Sequence, residues 1–140
     1  RPAYAARVHP QILVKCHKFI RVDAAPHLLA LADRVRAVWE AAAAKHGLAI
    51  RIGGFKPLIH FSFADDHAVR ISYFTQEMLK RGFLACALFY PMYAHAFEQV
   101  ERYGRAVDDV FARLAALVKA STVKNRLEGL PAASGFGRLN

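Results

Sequence analysis

Seven histidines, two cysteines, an adjacent pair of aspartates and a tyrosine-rich turn are the residues of this chain with chemistry to offer. His9, His17, His27, His46, His60, His67 and His95 are natural metal ligands, yet no two stand four residues apart. That spacing is what sets two imidazoles on one helix face, so no metal site is expected. Cys16 and Cys86 lack a C-x-x-C partner and each lies in an apolar run, the setting of buried free thiols rather than of a disulfide. Asp65-Asp66 has the form of a carboxylate pair for acid–base work, but an apolar helical stretch follows at once, and capping that helix is the expected role. SGFG at 134–137 has the composition of a phosphate loop without a strand before it or a helix after it, so Gly135 and Gly137 read as turns in a tail. FYPMYAH at 89–95 gathers two phenols and an imidazole. Tyr90, Tyr93 and His95 each suit contact with a small molecule, and each equally suits burial of an apolar body with a satisfied polar tip. None of these patterns designates a catalytic residue.

The elements that must position these groups follow from periodicity. Residues 12–22 (ILVKCHKFIRV) are favoured as helix, although so short an apolar run does not settle the period. Asp23 followed by Pro26 starts a helix, because a carboxylate accepts from free N–H groups and proline suits the first turn. Leu28, Leu31, Ala32, Val35, Val38, Trp39 and Ala42 form its apolar stripe, Lys45 and His46 complement the carbonyl end of its dipole, and Gly47 ends it. Residues 48–52 are β-prone, Gly53-Gly54 is the expected turn, and 58–63 alternates in hairpin fashion. The next helix is expected to bury Val69, Tyr73, Phe74, Met78 and Leu79 and to stop at Gly82. Residues 83–89 read as a third strand, apolar on both sides and covered by helices, broken by Pro91. A long helix over 97–120 carries the stripe Phe97, Val100, Tyr103, Val107, Val110, Phe111, Leu114 and Leu117. Glu98–Arg102 and Glu101–Arg105 are its expected ion pairs, and Ala96 at its start has no hydroxyl to cap it. An irregular tail is expected over 121–140. The fold class is therefore α+β: a small, mainly antiparallel three-stranded sheet packed with helices.

At 140 residues the chain has the length of one domain, and 55% apolar against 22% charged residues excludes a disordered reading. No run has the length and apolarity of a membrane span, and the start of the sequence has no apolar signal core, so no membrane partner and a cytoplasmic location are expected. The net charge of +9 is concentrated at the ends: +5 over residues 1–22 and +3 over 119–140. Between them eleven basic residues face ten acids, which leaves no basic stripe for nucleic acid.

Three segments resemble the C-terminal part of class III, fold-type I pyridoxal-phosphate (PLP) aminotransferases, especially those similar to glutamate-1-semialdehyde aminomutase. Pro26-His27-Leu28-Leu29 through Gly47-Leu48 is similar to the helix that opens that family's small domain, with Pro57-Leu58-Ile59-His60-Phe61 behind it. FTQEMLKRGFLA at 74–85 is the most specific match, and FYPMYAH at 89–95 pairs with ASGFGRLN at 133–140. The matches run in family order over residues 23–140, which the resemblance makes a small C-terminal domain; residues 1–22 match nothing in it and read as a divergent or truncated segment.

The resemblance implies part of an enzyme that moves an amino group between an amino acid or amine and a carbonyl compound. In that family the Schiff-base lysine, the acid facing the pyridinium nitrogen and the phosphate cup all lie upstream of the matched region. None of Lys15, Lys18, Lys45, Lys56, Lys80, Lys119 and Lys124 stands at the matching lysine position. This chain alone is accordingly expected to hold no PLP and to be inactive, PLP being the cofactor of the parent enzyme. The implied partners are a large PLP-binding domain, a second copy in a homodimeric parent, and a small-molecule amino donor and carbonyl acceptor. A small domain of this kind closes one side of the site against water, with Tyr90, Tyr93 and His95 at the substrate entrance. The alternative is a free-standing α+β module that binds a protein partner.

Overall fold

A computed structural model describes residues 23–133. Helix α1 (Ala25–His46) leads into strands β1 (Ile50–Phe55) and β2 (Leu58–Phe63), helix α2 (His67–Lys80), a short strand β3 (Leu88–Phe89), helix α3 (Phe97–Lys119) and a 3-10 turn at Val123–Arg126. The strands form one antiparallel sheet in the order β1-β2-β3, so the expected α+β class is the one observed. The helix expected over 12–22, Cys16 and the SGFG turn lie outside the described residues. No described helix is long and apolar enough to cross a membrane.

Helix α1 starts as its sequence requires. Asp23 Oδ1 accepts the Ala25 N–H at 3.2 Å, and Pro26 occupies the first turn, where its missing donor costs nothing. Leu31, Ala32, Val35, Trp39 and Ala42 are buried, with Ala43 beside them, and Gly47 closes the helix in the left-handed region at φ 67°. The cations of the last turn also bridge to α3: Lys45 Nζ and His46 Nε2 each donate to Asp108 at 2.8 Å. Those two hydrogen bonds hold the Asp108 carboxyl below its usual range.

The hairpin differs from expectation at its glycines. β1 runs through Gly53 and Gly54 to Phe55, which pairs with Leu58, so the turn is Lys56-Pro57. The glycines answer a close approach instead. Gly53 lies opposite His60, whose Nε2 would be 2.9 Å from a Cβ at that position. A Cβ on Gly54 would run into the Leu58 carbonyl, and its φ of 93° suits glycine alone.

Four further expectations are corrected. Asp66 takes the N-cap position of α2 but in left-handed backbone with no side-chain cap, while Asp65 faces Arg70 at 3.8 Å. The buried face of α2 is rotated from the expected stripe: Ile71, Arg70 and Glu77 join Tyr73, Phe74 and Met78, and Leu79, on the far side of the helix, is exposed. The third strand is only Leu88–Phe89, at the sheet edge; Ala87 adds one ladder bond, its carbonyl accepting the Phe61 N–H at 2.9 Å. Leu84 and Cys86, expected in a strand covered on both sides, lie outside β3 and are exposed. Among the described residues neither expected ion pair of α3 forms, and Glu101 instead meets Arg34 of α1 at 3.9 Å with both side chains mostly in solvent. Such a contact contributes little. The stripe of α3 is buried as expected at Val100, Val107, Val110, Phe111 and Leu114.

All three helices converge on Phe61. Its ring lies 4.8 Å from Trp39 of α1, 5.3 Å from Phe74 of α2 and 6.0 Å from Phe111 of α3, centroid to centroid, and all four side chains are essentially inaccessible. The tilted and edge-on pairs are worth about 0.5–1.5 kcal/mol each beyond the area buried. The tail expected to be irregular is tied down as far as the structure describes it: Gln76 Nε2 donates to the Arg126 carbonyl at 3.0 Å, Gln76 Oε1 accepts the Glu128 N–H at 2.8 Å, and Ser72 Oγ accepts the Ala132 N–H at 2.8 Å.

A charged cluster joins α2 to α3. Arg81 donates to Glu77 Oε2 at 3.0 Å and to Asp109 of α3, and Lys80 bridges Glu77 at 2.9 Å and Glu128 at 2.6 Å. Burial opposes ionisation of Glu77, but hydrogen bonds from Lys80, Arg81 and Gln76 outweigh it and hold its pKa below the usual value. Asp109 is lowered by its bond from Arg81.

Two outcomes follow for stability. Gly54→Ala should cost about 1–3 kcal/mol through its backbone strain, and more than Gly53→Ala, whose clash an exposed imidazole relieves by rotating; urea unfolding of both variants reads the difference. Because the folded pKa values of Glu77, Asp108 and Asp109 are lowered, their contribution is complete above the unfolded carboxylate value of about 4 and disappears as pH falls through the lower folded values. The urea midpoint should therefore drop below about pH 4, and Asp109→Asn should remove part of that drop; an identical acid response in the variant contradicts the assignment.

Candidate functional site

The site is built where the sheet edge meets the start of α3. Ala96, the N-cap, is extended at φ −92°, ψ 155° and has no side-chain acceptor. Gln99 compensates from inside the helix, its Oε1 accepting the Ala96 N–H at 2.9 Å while its own N–H donates to the Ala96 carbonyl at 3.1 Å. The helix is thus fixed from its first turn without the missing hydroxyl.

The loop at 90–96 is held by two histidines. His95 stacks on Phe89 with centroids 5.7 Å apart, and its Nδ1 accepts the Met92 N–H at 3.1 Å. That places the proton of the neutral ring on Nε2, which among the described residues has no acceptor. His27, on the first turn of α1, donates from Nε2 to the His95 carbonyl at 2.9 Å and presents its ring edge-on to Tyr93 and Phe97. Sequence reasoning named His27 only among the histidines without ligand spacing and in the helix-opening segment; its hold on the loop at His95 is revealed by tertiary contact alone.

Between residues 82–90 and the first two turns of α3 lies a half-open cavity of about 540 Å³. Phe83, Leu88, Phe89, Val100 and Val35 give it apolar walls. Tyr90 and His95 line it; Tyr93 lies outside, against His27. Tyr103, which the sequence placed merely in the stripe of α3, forms its inner wall: Trp39 Nε1 donates to the Tyr103 hydroxyl at 2.8 Å, and Phe83 packs edge-on at 5.8 Å. Burial pushes the Tyr103 phenol well above its usual pKa, so it remains protonated across the physiological range. Cys86 is an exposed free thiol at the cavity wall, its Sγ 3.4 Å from the Leu88 carbonyl, which corrects the buried placement expected for it.

Among the described residues no group of three or more His, Cys, Asp and Glu gathers. No described lysine lines the cavity: Lys45, Lys56 and Lys80 face outward onto Asp108, Asp33 and the Glu77–Glu128 pair, and Lys119 and Lys124 are exposed. The described residues therefore offer no arrangement that fits covalent attachment of PLP. What they supply is a wall: an apolar recess edged by hydrogen-bond donors.

No family model matches this chain, and no curated protein matches it. Among solved structures it is similar to the PLP internal aldimine form of the FumI protein of Sphingopyxis sp. MTA144, with 25% sequence identity and a TM-score of 0.64. The match covers 74% of this chain and 26% of that one, so the chain spans about a quarter of the length of the structure it resembles. The likeness relates the chain to a PLP-dependent protein and agrees with the α+β class.

Tyr103→Phe should leave the Trp39 N–H buried without its acceptor and destabilise the fold by about 1–3 kcal/mol. Thermal unfolding measures the loss, and the altered surroundings of the sole tryptophan should change its fluorescence; an unchanged melting temperature and spectrum contradict the geometry.

Proposed function

We propose that residues 23–140 form the small C-terminal domain of a class III, fold-type I PLP-dependent aminotransferase or aminomutase, with residues 1–22 a divergent segment before it. The observation that carries this reading is the likeness to a PLP-bearing protein over 74% of the chain. We assign the exposed apolar side chains Leu84 (96%), Leu130 (95%) and Phe55 (69%) to the contact with a neighbouring domain. In this reading the neighbour is a large domain that binds PLP, the parent is a cytosolic homodimer, and its substrates are a small-molecule amino donor and a carbonyl acceptor.

PLP, when bound, supplies the electron sink through which an amino group leaves one carbon and is delivered to another. The residues of this chain do the positioning. The recess beside α3 closes one side of the site and excludes water, and the loop carrying Tyr90, Tyr93 and His95 borders the substrate entrance. Without the neighbouring domain the chain turns over no amine.

Two measurements test this together. The 140-residue chain should self-associate and bind a dye specific for exposed apolar surface. The reading frame continued upstream should encode a Schiff-base lysine, and its product should carry a visible chromophore that borohydride reduces onto that lysine. A dye-silent monomer, or an extended product without bound cofactor, overturns the assignment.

A further inference from the structure

The turn at 92–95 is closed from both sides by a single residue. The His95 N–H donates to the Met92 carbonyl at 2.9 Å, and the Met92 N–H donates back to His95 Nδ1 at 3.1 Å. Stacking on Phe89, with the two planes 22° apart, holds the accepting ring in place. A second imidazole, His27 of α1, donates from Nε2 to the His95 carbonyl at 2.9 Å. Acid acts on these two rings in opposite senses. A nitrogen that donates keeps its proton when the ring becomes a cation, so the His27 bond survives. A nitrogen that accepts loses its lone pair, so His95 Nδ1 turns into a donor pointed at the Met92 donor. The surroundings give that cation no compensation. From α1, His95 meets His27; along the cavity wall it is joined by Tyr90 of its own loop, Cys86 from the segment before β3, and Arg102 and Tyr103 of α3. None of these is a carboxylate, and Arg102 carries the same sign as an imidazolium. Among the described residues the one histidine bridged to an acid is His46.

We propose that His95 is an acid-released latch: with a neutral ring it clasps the turn at 92–95, and with a protonated ring it lets go of the Met92 N–H. Because His27 keeps its hold on the His95 carbonyl, the released chain pivots about residue 95, and the motion is confined to residues 90–94. Met92 lines the cavity and is 56% exposed, so little packing opposes its departure, and its release widens the opening between the loop and α3. An imidazole changes charge between about pH 5 and 8, above the range near pH 4 in which the carboxylates of α2 and α3 lose their charge. The latch goes beyond the domain assignment and stands or falls independently of a cofactor domain.

Hydrogen–deuterium exchange of the 140-residue chain, read at single-residue resolution, tests this without PLP and tolerates self-association. After division by the intrinsic rate at each pH, protection of the Met92 amide should fall about tenfold between about pH 8 and pH 5, while the core amides of Phe61 and Val107 keep theirs. His95→Asn sets an amide oxygen where Nδ1 stood, an acceptor at every pH, and should hold Met92 protected at both ends of the range. His95→Phe keeps a ring to stack but accepts nothing, and should leave Met92 unprotected at both. His27→Gln retains a donor and should respond to pH as the unaltered chain does. Equal Met92 protection at the two pH values in the unaltered chain, or a His95→Asn chain that still loses protection in acid, overturns the latch.

Discussion

The fold depends on one ring being shared by three helices. Phe61 is the middle inward residue of the middle strand, so it reaches every helix covering that face of the sheet, and Trp39, Phe74 and Phe111 close around it. Aromatic rings prefer edge-on and tilted contacts, which fixes the rotation of each helix about its own axis more tightly than aliphatic packing does. Once Trp39 is set against Phe61, its N–H faces α3, and Tyr103 is the group that meets it. The inner wall of the cavity is therefore a consequence of the core.

The charged contacts act at the periphery of that arrangement. Asp108 receives the last turn of α1, and Asp109, the next residue, receives Arg81 from the end of α2. Two adjacent carboxylates on α3 thus tie it to both neighbouring helices. Lys45, Asp108 and Asp109 are open enough to solvent to weaken their bonds, whereas His46, Arg81 and Glu77 are mostly buried, and there each bond counts for more. At the opposite end of α3, His27 does the corresponding work by holding the loop backbone at His95.

A recess of this kind lies on the seam between a sheet edge and a helix, and edges are where backbone and side chains are left uncovered. Residues 83–86 lie outside the short β3 and its Ala87 bond, and the space beside them is lined by Phe83, Tyr103 and Phe89.

The sequence by itself determined the element order, the helix stripes of α1 and α3, the inward alternation of β2 and the α+β class, because each follows from a local period that survives any packing. It also singled out Tyr90, Tyr93 and His95 as groups with polar tips. Tertiary structure alone decided what depends on distance between remote residues: that Gly53 and Gly54 lie in a strand beneath His60 rather than in the turn, that Glu101 turns to Arg34, that Tyr103 holds Trp39, and that Tyr90 and His95 share a cavity from which Tyr93 is turned away. The physical reason is that a period states which face of an element is apolar, whereas the partner that face or its rim meets is fixed by how three helices pack around one ring.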